Sequence, residues 1–272
     1  MSEMPLPPQK SSGLMMRVVS ALVMLPIAIF IILQGGMAYF IFVALLTSLI
    51  LYEWNGICEG KAFNAVFVFQ TIFVLLLAHS INSGIYFDLY IYLVPLILTV
   101  VAGIILKMKL PFALLGIAYA LLPALSLIWL RQNSDQGGWI VLWMMIIVWS
   151  MDTGAYFTGK KIGGLKMSPK ISPNKTWAGL IGGAVTAVVF GLIAAHYFDL
   201  GFSITFLAPA AAVLAIWSQI GDLAESALKR RFDVKDSGAI IPGHGGIMDR
   251  VDGVVFAAPA VALFFYLSAL EF

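Results

Sequence analysis

Apolar runs long enough to cross a bilayer recur along almost the whole chain, from "VVSALVMLPIAIFIIL" after Arg17 to "VVFAAPAVALFFYLSAL" near the end. A helix needs about 20 such residues to span the hydrocarbon layer. Hydrophobic residues make up 61% of the sequence and charged ones only 11%. A soluble domain carries roughly 45–50% apolar and about 25% charged residues, so that class is excluded. The expected fold class is all-α: a polytopic integral membrane protein with about nine transmembrane helices.

The spans fall at roughly 16–33, 37–52, 63–80, 86–106, 110–130, 138–157, 177–198, 202–222 and 251–270. Crossing the membrane nine times sorts the charges. Of the 16 lysines and arginines, all except Arg131 land on one side, and a miscounted span would scramble that split. Cytoplasmic loops collect Lys and Arg, so the N-terminus and the two long connections, 158–176 and 223–250, are expected inside. The end of the bundle that collects these charges is therefore expected to face the cytoplasm. Residues 1–13 are rich in Pro and Ser and are expected to be disordered. Residues 14–272 form one transmembrane domain, with motif-poor spans at 14–130 and the catalytic half at 138–272. The first run is long for a signal-peptide core and lacks a small-x-small cleavage pattern beyond it, so it reads as a retained span. Cys58 is the single cysteine, which excludes an internal disulfide or a multi-cysteine metal site.

Against this oily background, residues 229–253, "KRRFDVKDSGAIIPGHGGIMDRVDG", crowd charges, a histidine and glycines together. Asp152 lies late in the sixth span, Asp222 ends the eighth, and Asp249 and Asp252 open the ninth. Three elements distant in sequence therefore bring carboxylates to one membrane face. If the eighth helix continues through "SQIGDLAESALKRR", Asp222, Glu225, Ser226 and Lys229 share a face. Glu225 then reads either as part of a site or as an ion-pair partner at an interfacial helix end. Ionisable groups near membrane depth are costly and usually serve a function. Carboxylates gathered with so many cations point to a magnesium-dependent phosphate site. Mg²⁺ binds through one or two Asp residues with substrate phosphates completing its shell, while Lys and Arg neutralise phosphate oxygens.

In "IPGHGGIMDR", Gly243, Gly245 and Gly246 allow backbone N–H groups to turn towards an anion. His244 can donate to a phosphate or cap the loop. In "GKKIGGLKMSPKISPNKTWAG", Lys161 and Lys166 read as anchors to anionic headgroups. Lys175 and Thr176 stand at a helix start, where the N-terminal partial charge helps to hold a phosphate. No Walker A pattern, Ser-His-Asp arrangement or HExxH occurs, so neither a P-loop site nor a covalent intermediate is implied.

Residues 226–252, "SALKRRFDVKDSGAIIPGHGGIMDRVD", resemble the signature of the CDP-diacylglycerol synthases, also called phosphatidate cytidylyltransferases. The matching positions are Ser226, Lys229, Arg230, Lys235, Asp236, Gly238, Pro242, His244, Gly245, Gly246, Asp249, Arg250 and Asp252. "MDTGAYFTGK", "SPNKTWAG" and "GDLAES" are similar to the family's upstream motifs, whereas the N-terminal spans agree only in hydropathy. Asn174 and Ala178 depart from the basic and acidic residues that many members carry there.

The resemblance implies that CTP and phosphatidate give CDP-diacylglycerol and pyrophosphate. It implies Mg²⁺ on Asp222 and Asp249, with Asp252 joining the ligands, Asp152 orienting the site and room for a second cation. Lys229, Arg230, Lys235 and Arg250 would take phosphate oxygens of CTP or pyrophosphate. Lys160 and Lys175, with Ser172, Thr176 and the neighbouring Ser226, would complete the anion site or hold the lipid headgroup. The expected partners are CTP, phosphatidate and membrane lipids, with no nucleic acid and with a homodimer left open. A CDP-alcohol phosphotransferase would need a DG-x-x-AR pattern, which is absent. An ion-coupled membrane transporter would set its carboxylates near the bilayer midplane, not at an edge beside basic loops.

Overall fold

All nine apolar runs become helices in a computed structural model that describes the backbone of residues 12–241 and 245–270 and the side chains of 22–241 and 245–267. They are α1 (Ser12–Gln34), α2 (Gly36–Glu59), α3 (Ala65–Ser83), α4 (Leu89–Ile105), α5 (Leu110–Gln132), α6 (Gly137–Ile162), α7 (Trp177–Tyr197), α8 (Ile204–Arg231) and α9 (Met248–Leu270). Seven are long and apolar enough to cross a membrane; Leu22–Gln34 of α1 and the whole of α4 are shorter apolar helices. The protein is an integral membrane protein. Of the N-terminal tail, residues 1–11 lie outside the described residues, and Ser12 and Gly13 already belong to α1.

Three helices outrun their apolar stretches. α2 continues to Glu59, α6 to Ile162 and α8 to Arg231. Hydropathy marks where a helix leaves the oil, but backbone hydrogen bonding continues until a cap stops it. Gly60 and Gly163, both at φ 67°, provide that stop for α2 and α6. The two long connections shrink accordingly to 163–176 and 232–247. The first holds the only strands among the described residues, and the second holds an isolated bridge between Ile241 and Gly245. The strands form an antiparallel hairpin, β1 (Lys166–Ser168) with β2 (Ser172–Thr176), pairing Lys166 with Thr176 and Ser168 with Ser172. Pro169 and Pro173 bar a helix from this segment.

Contacts between loops bear out the alternating traverses. Arg131, the odd cation of the charge count, donates from Nε and Nη2 to the carbonyls of Ile32 and Leu33 at 2.8 and 2.9 Å. It thereby closes the last turn of α1. At the same end Gln136 donates to the Asp199 carbonyl at 2.9 Å. At the opposite end, Glu59 accepts the Lys109 amide at 2.8 Å.

Apolar contact cannot by itself drive helices together in lipid, whereas close packing of small residues can. α7 presents Gly179, Gly183, Ala187, Gly191 and Ala195, one every four residues and all buried. A Cβ on Gly183 would stand 2.7 Å from the Met151 carbonyl oxygen, and one on Gly179 2.9 Å from that of Ala155. Trp143 of α6 donates its indole N–H to the Gly191 carbonyl at 2.9 Å. This seam fixes α6, and with it Asp152, against the helix that follows the hairpin. One core then gathers Trp143, Met144, Ile147, Met151, Ala211 and Ala258 from α6, α8 and α9. A second, around Leu51, Trp54, Val74, Ile117 and Met248, joins α2, α3 and α5 to the start of α9.

Gly183→Leu should force α6 and α7 apart and destabilise the fold by about 1–3 kcal/mol or more. The measurement is the thermal midpoint in detergent; an unchanged midpoint would show that the seam does not hold α6.

Candidate active site

Asp152 of α6, Asp222 of α8 and Asp252 of α9 lie within electrostatic reach of one another where the three helices approach. Two glycines permit the approach. A Cβ on Gly221 would lie 2.7 Å from the Asp252 carbonyl oxygen, and one on Gly253 2.9 Å from Val148 Cγ1. Asp152 Oδ1 accepts a hydrogen bond from Gln219 Nε2 at 3.0 Å, tying the acid of α6 to α8. Asp252 lies within the electrostatic reach of Asp222, Glu225 and Asp152. Against this repulsion stands Lys175 of β2, whose Nζ is 2.5 Å from Asp222 Oδ2. Ser226 also donates to Asp222, at 3.3 Å.

Because α8 continues to Arg231, Asp222, Glu225, Ser226 and Lys229 do share a face. A second charged group forms one turn beyond the first. Lys229 Nζ donates to Glu225 Oε1 at 3.0 Å and to Asp249 Oδ1 at 2.6 Å. Glu225 is only 1% exposed, and Tyr119 of α5 donates to its other oxygen at 3.5 Å. Of the two readings for Glu225, the structure displays the ion pair, buried rather than interfacial. Asp249 Oδ2 is engaged as well, accepting the Ser237 N–H, the Ser237 hydroxyl and the Gly246 N–H, each at 3.0 Å.

Glu53 of α2 was not among the residues that spacing singled out. It is 2% exposed, and it accepts the Ser237 hydroxyl and the N–H groups of Ile247 and Met248, all at 2.8 Å. Amides at a helix start have no partner within the helix, and a carboxylate there also meets the positive end of the helix dipole. The signal for Glu53 was a carboxylate inside "LILYEWNG" with no basic residue within two turns of it.

Two groups expected at the anion site have partners within the protein. The Gly246 N–H serves Asp249 rather than a bound anion, and the space left by its missing Cβ is occupied by Ser237 Oγ and the Glu53 carboxylate. The Thr176 hydroxyl caps α7 by accepting the Gly179 N–H at 3.0 Å. It is buried against Gly159 and Gly179. Gly245, at φ 82°, adopts a left-handed backbone conformation that favours glycine. Arg230 is exposed and turns to the Val234 carbonyl at 3.1 Å. Lys160 stands 5.6 Å above the Tyr156 ring. Lys235 and Arg250 are exposed, and Ser172 is half-buried in β2. Pro242, Gly243 and His244 lie outside the described residues.

Among the described residues, no three acidic, His or Cys side chains form a ready-made metal cage. Mg²⁺ does not require one, since it binds through one or two carboxylates together with water and substrate phosphates. Asp222 and Asp252 supply such donors, in a group of like charges that a cation would relieve. Asp249 fits this role less directly, because Lys229 holds Oδ1 and the loop saturates Oδ2.

The sequence matches the cytidylyltransferase family over residues 15–268. It is 37% identical over 257 residues to the phosphatidate cytidylyltransferases of Brucella suis biovar 1 and Brucella abortus biovar 1, covering 93% of this chain and 93% of each relative. It is 31% identical over 251 residues to the phosphatidate cytidylyltransferase of Staphylococcus aureus, covering 89% of this chain and 95% of that relative. The likeness therefore extends through the N-terminal spans, beyond the half that carries the motifs.

Lys229→Met would leave Glu225 and Asp249 without the cation between them. The expected loss is about 3–5 kcal/mol of stability, read from thermal denaturation in detergent. Adding Glu225→Gln should restore part of it.

Proposed function

Because the chain belongs to the cytidylyltransferase family, we propose that it is a phosphatidate cytidylyltransferase, which joins CTP to phosphatidate and releases pyrophosphate. The observation that carries this reading is the gathering of Asp152, Asp222 and Asp252 beside Lys175 and Lys229. It occurs in a chain matched along 93% of its length to enzymes of that name.

The reaction asks for no nucleophile from the protein. A phosphate oxygen of phosphatidate attacks the α-phosphorus of CTP. The bond from that phosphorus to the bridging oxygen breaks, and its electron pair leaves with pyrophosphate. Both reactants are polyanions, so the protein's task is to hold them in line and offset the charge on the transferring and leaving groups. Lys175 and Lys229 are already oriented by Asp222 and by the Glu225–Asp249 pair. Arg230, Lys235 and Arg250 take the outer oxygens of CTP and pyrophosphate. Lys160 and Ser172 work with Lys175 on the lipid headgroup. Gly243 and His244 belong to the same anion site on the strength of the signature. Asp222 and Asp252, joined by Asp249 when a phosphate draws Lys229 away, would hold Mg²⁺, which supplies Lewis-acid neutralisation of phosphate oxygens. On this reading the site faces the cytoplasm of a bacterial inner membrane, supported by the gathering of basic residues at one end of the bundle.

Purified protein given CTP, phosphatidate and Mg²⁺ should release pyrophosphate, and a chelator should stop it. Asp222→Asn and Asp252→Asn should each reduce turnover on the order of 10²-fold or more. Asp252→Asn should leave the thermal midpoint equal or higher, since it relieves like-charge repulsion. No release by the wild-type protein from any phosphatidate-containing mixture would overturn the reading.

A further inference from the structure

We infer that Glu53 is a positioning residue for this site. From the N-terminal half it sets the 237–247 loop and, through the Ser237 hydroxyl, the Asp249–Lys229 pair. Glu53 is separated from its three partners by 184 to 195 residues. Among the described residues it has no ion-pair partner within 4.0 Å, yet it is buried. An isolated carboxylate is expensive to bury unless fixed donors replace water. Here those donors are two amides at the start of α9 and one hydroxyl.

The hydroxyl makes Glu53 more than a helix cap. Ser237 Oγ lies 2.8 Å from Glu53 Oε2 and 3.0 Å from Asp249 Oδ2. A single hydroxyl proton is therefore shared between two carboxylates, one from α2 and one from the site. The glycines of the loop point the same way. A Cβ on Gly238 would lie 2.7 Å from Glu53 Oε1, and one on Gly246 2.6 Å from Glu53 Oε2. Two signature glycines are thus shaped around a side chain that the signature does not contain. Trp54, the next residue, packs with Met248 in the second core, so the carboxylate is delivered from a rigid helix. Moving it moves the loop that holds Asp249 Oδ2, and Asp249 Oδ1 in turn holds Lys229.

The test compares Glu53→Gln, Ser237→Ala and the double variant in the full-length protein in detergent. Its first arm needs no catalysis. Trypsin should cut at Lys235, in the loop, about tenfold faster or more in each single variant, the change expected from losing a charge-assisted hydrogen bond. Cutting at Lys166 and Lys170, in the hairpin, should not change, whereas general destabilisation would accelerate all three. The second arm rests on the cytidylyl-transfer reading. Turnover should fall on the order of 10²-fold with little change in KM for CTP, and the double variant should be no worse than the poorer single one. An unchanged cutting rate at Lys235, or losses that multiply in the double variant, would overturn the inference. If wild-type protein shows no turnover, the proposed function fails and the proteolysis arm still decides the role of Glu53. If Glu53→Gln does not fold, Ser237→Ala decides it alone.

Discussion

The ammonium group of Lys229, held between Glu225 and Asp249, joins the two helices that carry the motif-rich half of the site. At the edge of a hydrocarbon layer neither carboxylate can stand alone, because desolvating an unpaired charge costs several kcal/mol. The pairing therefore ties the last turns of α8 to the first turn of α9. It also leaves Asp249 Oδ2 free to gather Ser237 and Gly246, and so to order the loop between those helices. The second charged group follows a different logic. Asp152, Asp222 and Asp252 are brought together against their mutual repulsion, with Lys175 as the cation paired among them. Such an arrangement is poor for stability and suited to a site that takes up cations and phosphates.

Two devices hold that arrangement in place. Small residues every fourth position on α7 bring its backbone against α6, which fixes Asp152 and sets the hairpin that carries Lys175. On the other side, α2 and α5 reach in with Glu53 and Tyr119. The N-terminal spans, which read in the sequence as generic membrane helices, thus form one wall of the polar cluster. The match to relatives over 93% of the chain includes these spans.

The helices were legible because the bilayer imposes one length and one polarity on every span. The charge sorting was legible because each crossing changes sides, and Arg131 proved to be the exception with a purpose, closing α1. Topology alone brought Asp152, Asp222, Asp249 and Asp252 to one end of the bundle, but not the division that sets Asp249 with Lys229, one turn from the other three. The extensions of α2 and α6 could not be read from a span-length hydropathy pattern, because polar turns beyond the bilayer do not register as a crossing. The face shared by Asp222, Glu225, Ser226 and Lys229, by contrast, pointed to that of α8. The small-residue stripe of α7 was present in the letters as a spacing of four, but glycines and alanines in an apolar run carry no weight in a hydropathy scale.

The sequence by itself determined the class, the nine apolar helices, the end of the bundle where charge collects and the chemistry those charges suit. These depend on counts and periods along the chain. Only the tertiary structure decided which carboxylate meets which cation, that Thr176 and Gly246 serve internal partners, and that Glu53 holds Ser237 and the start of α9. Those outcomes depend on ångström-scale approach between residues up to 195 positions apart, and no local pattern encodes which neighbour a buried charge will find.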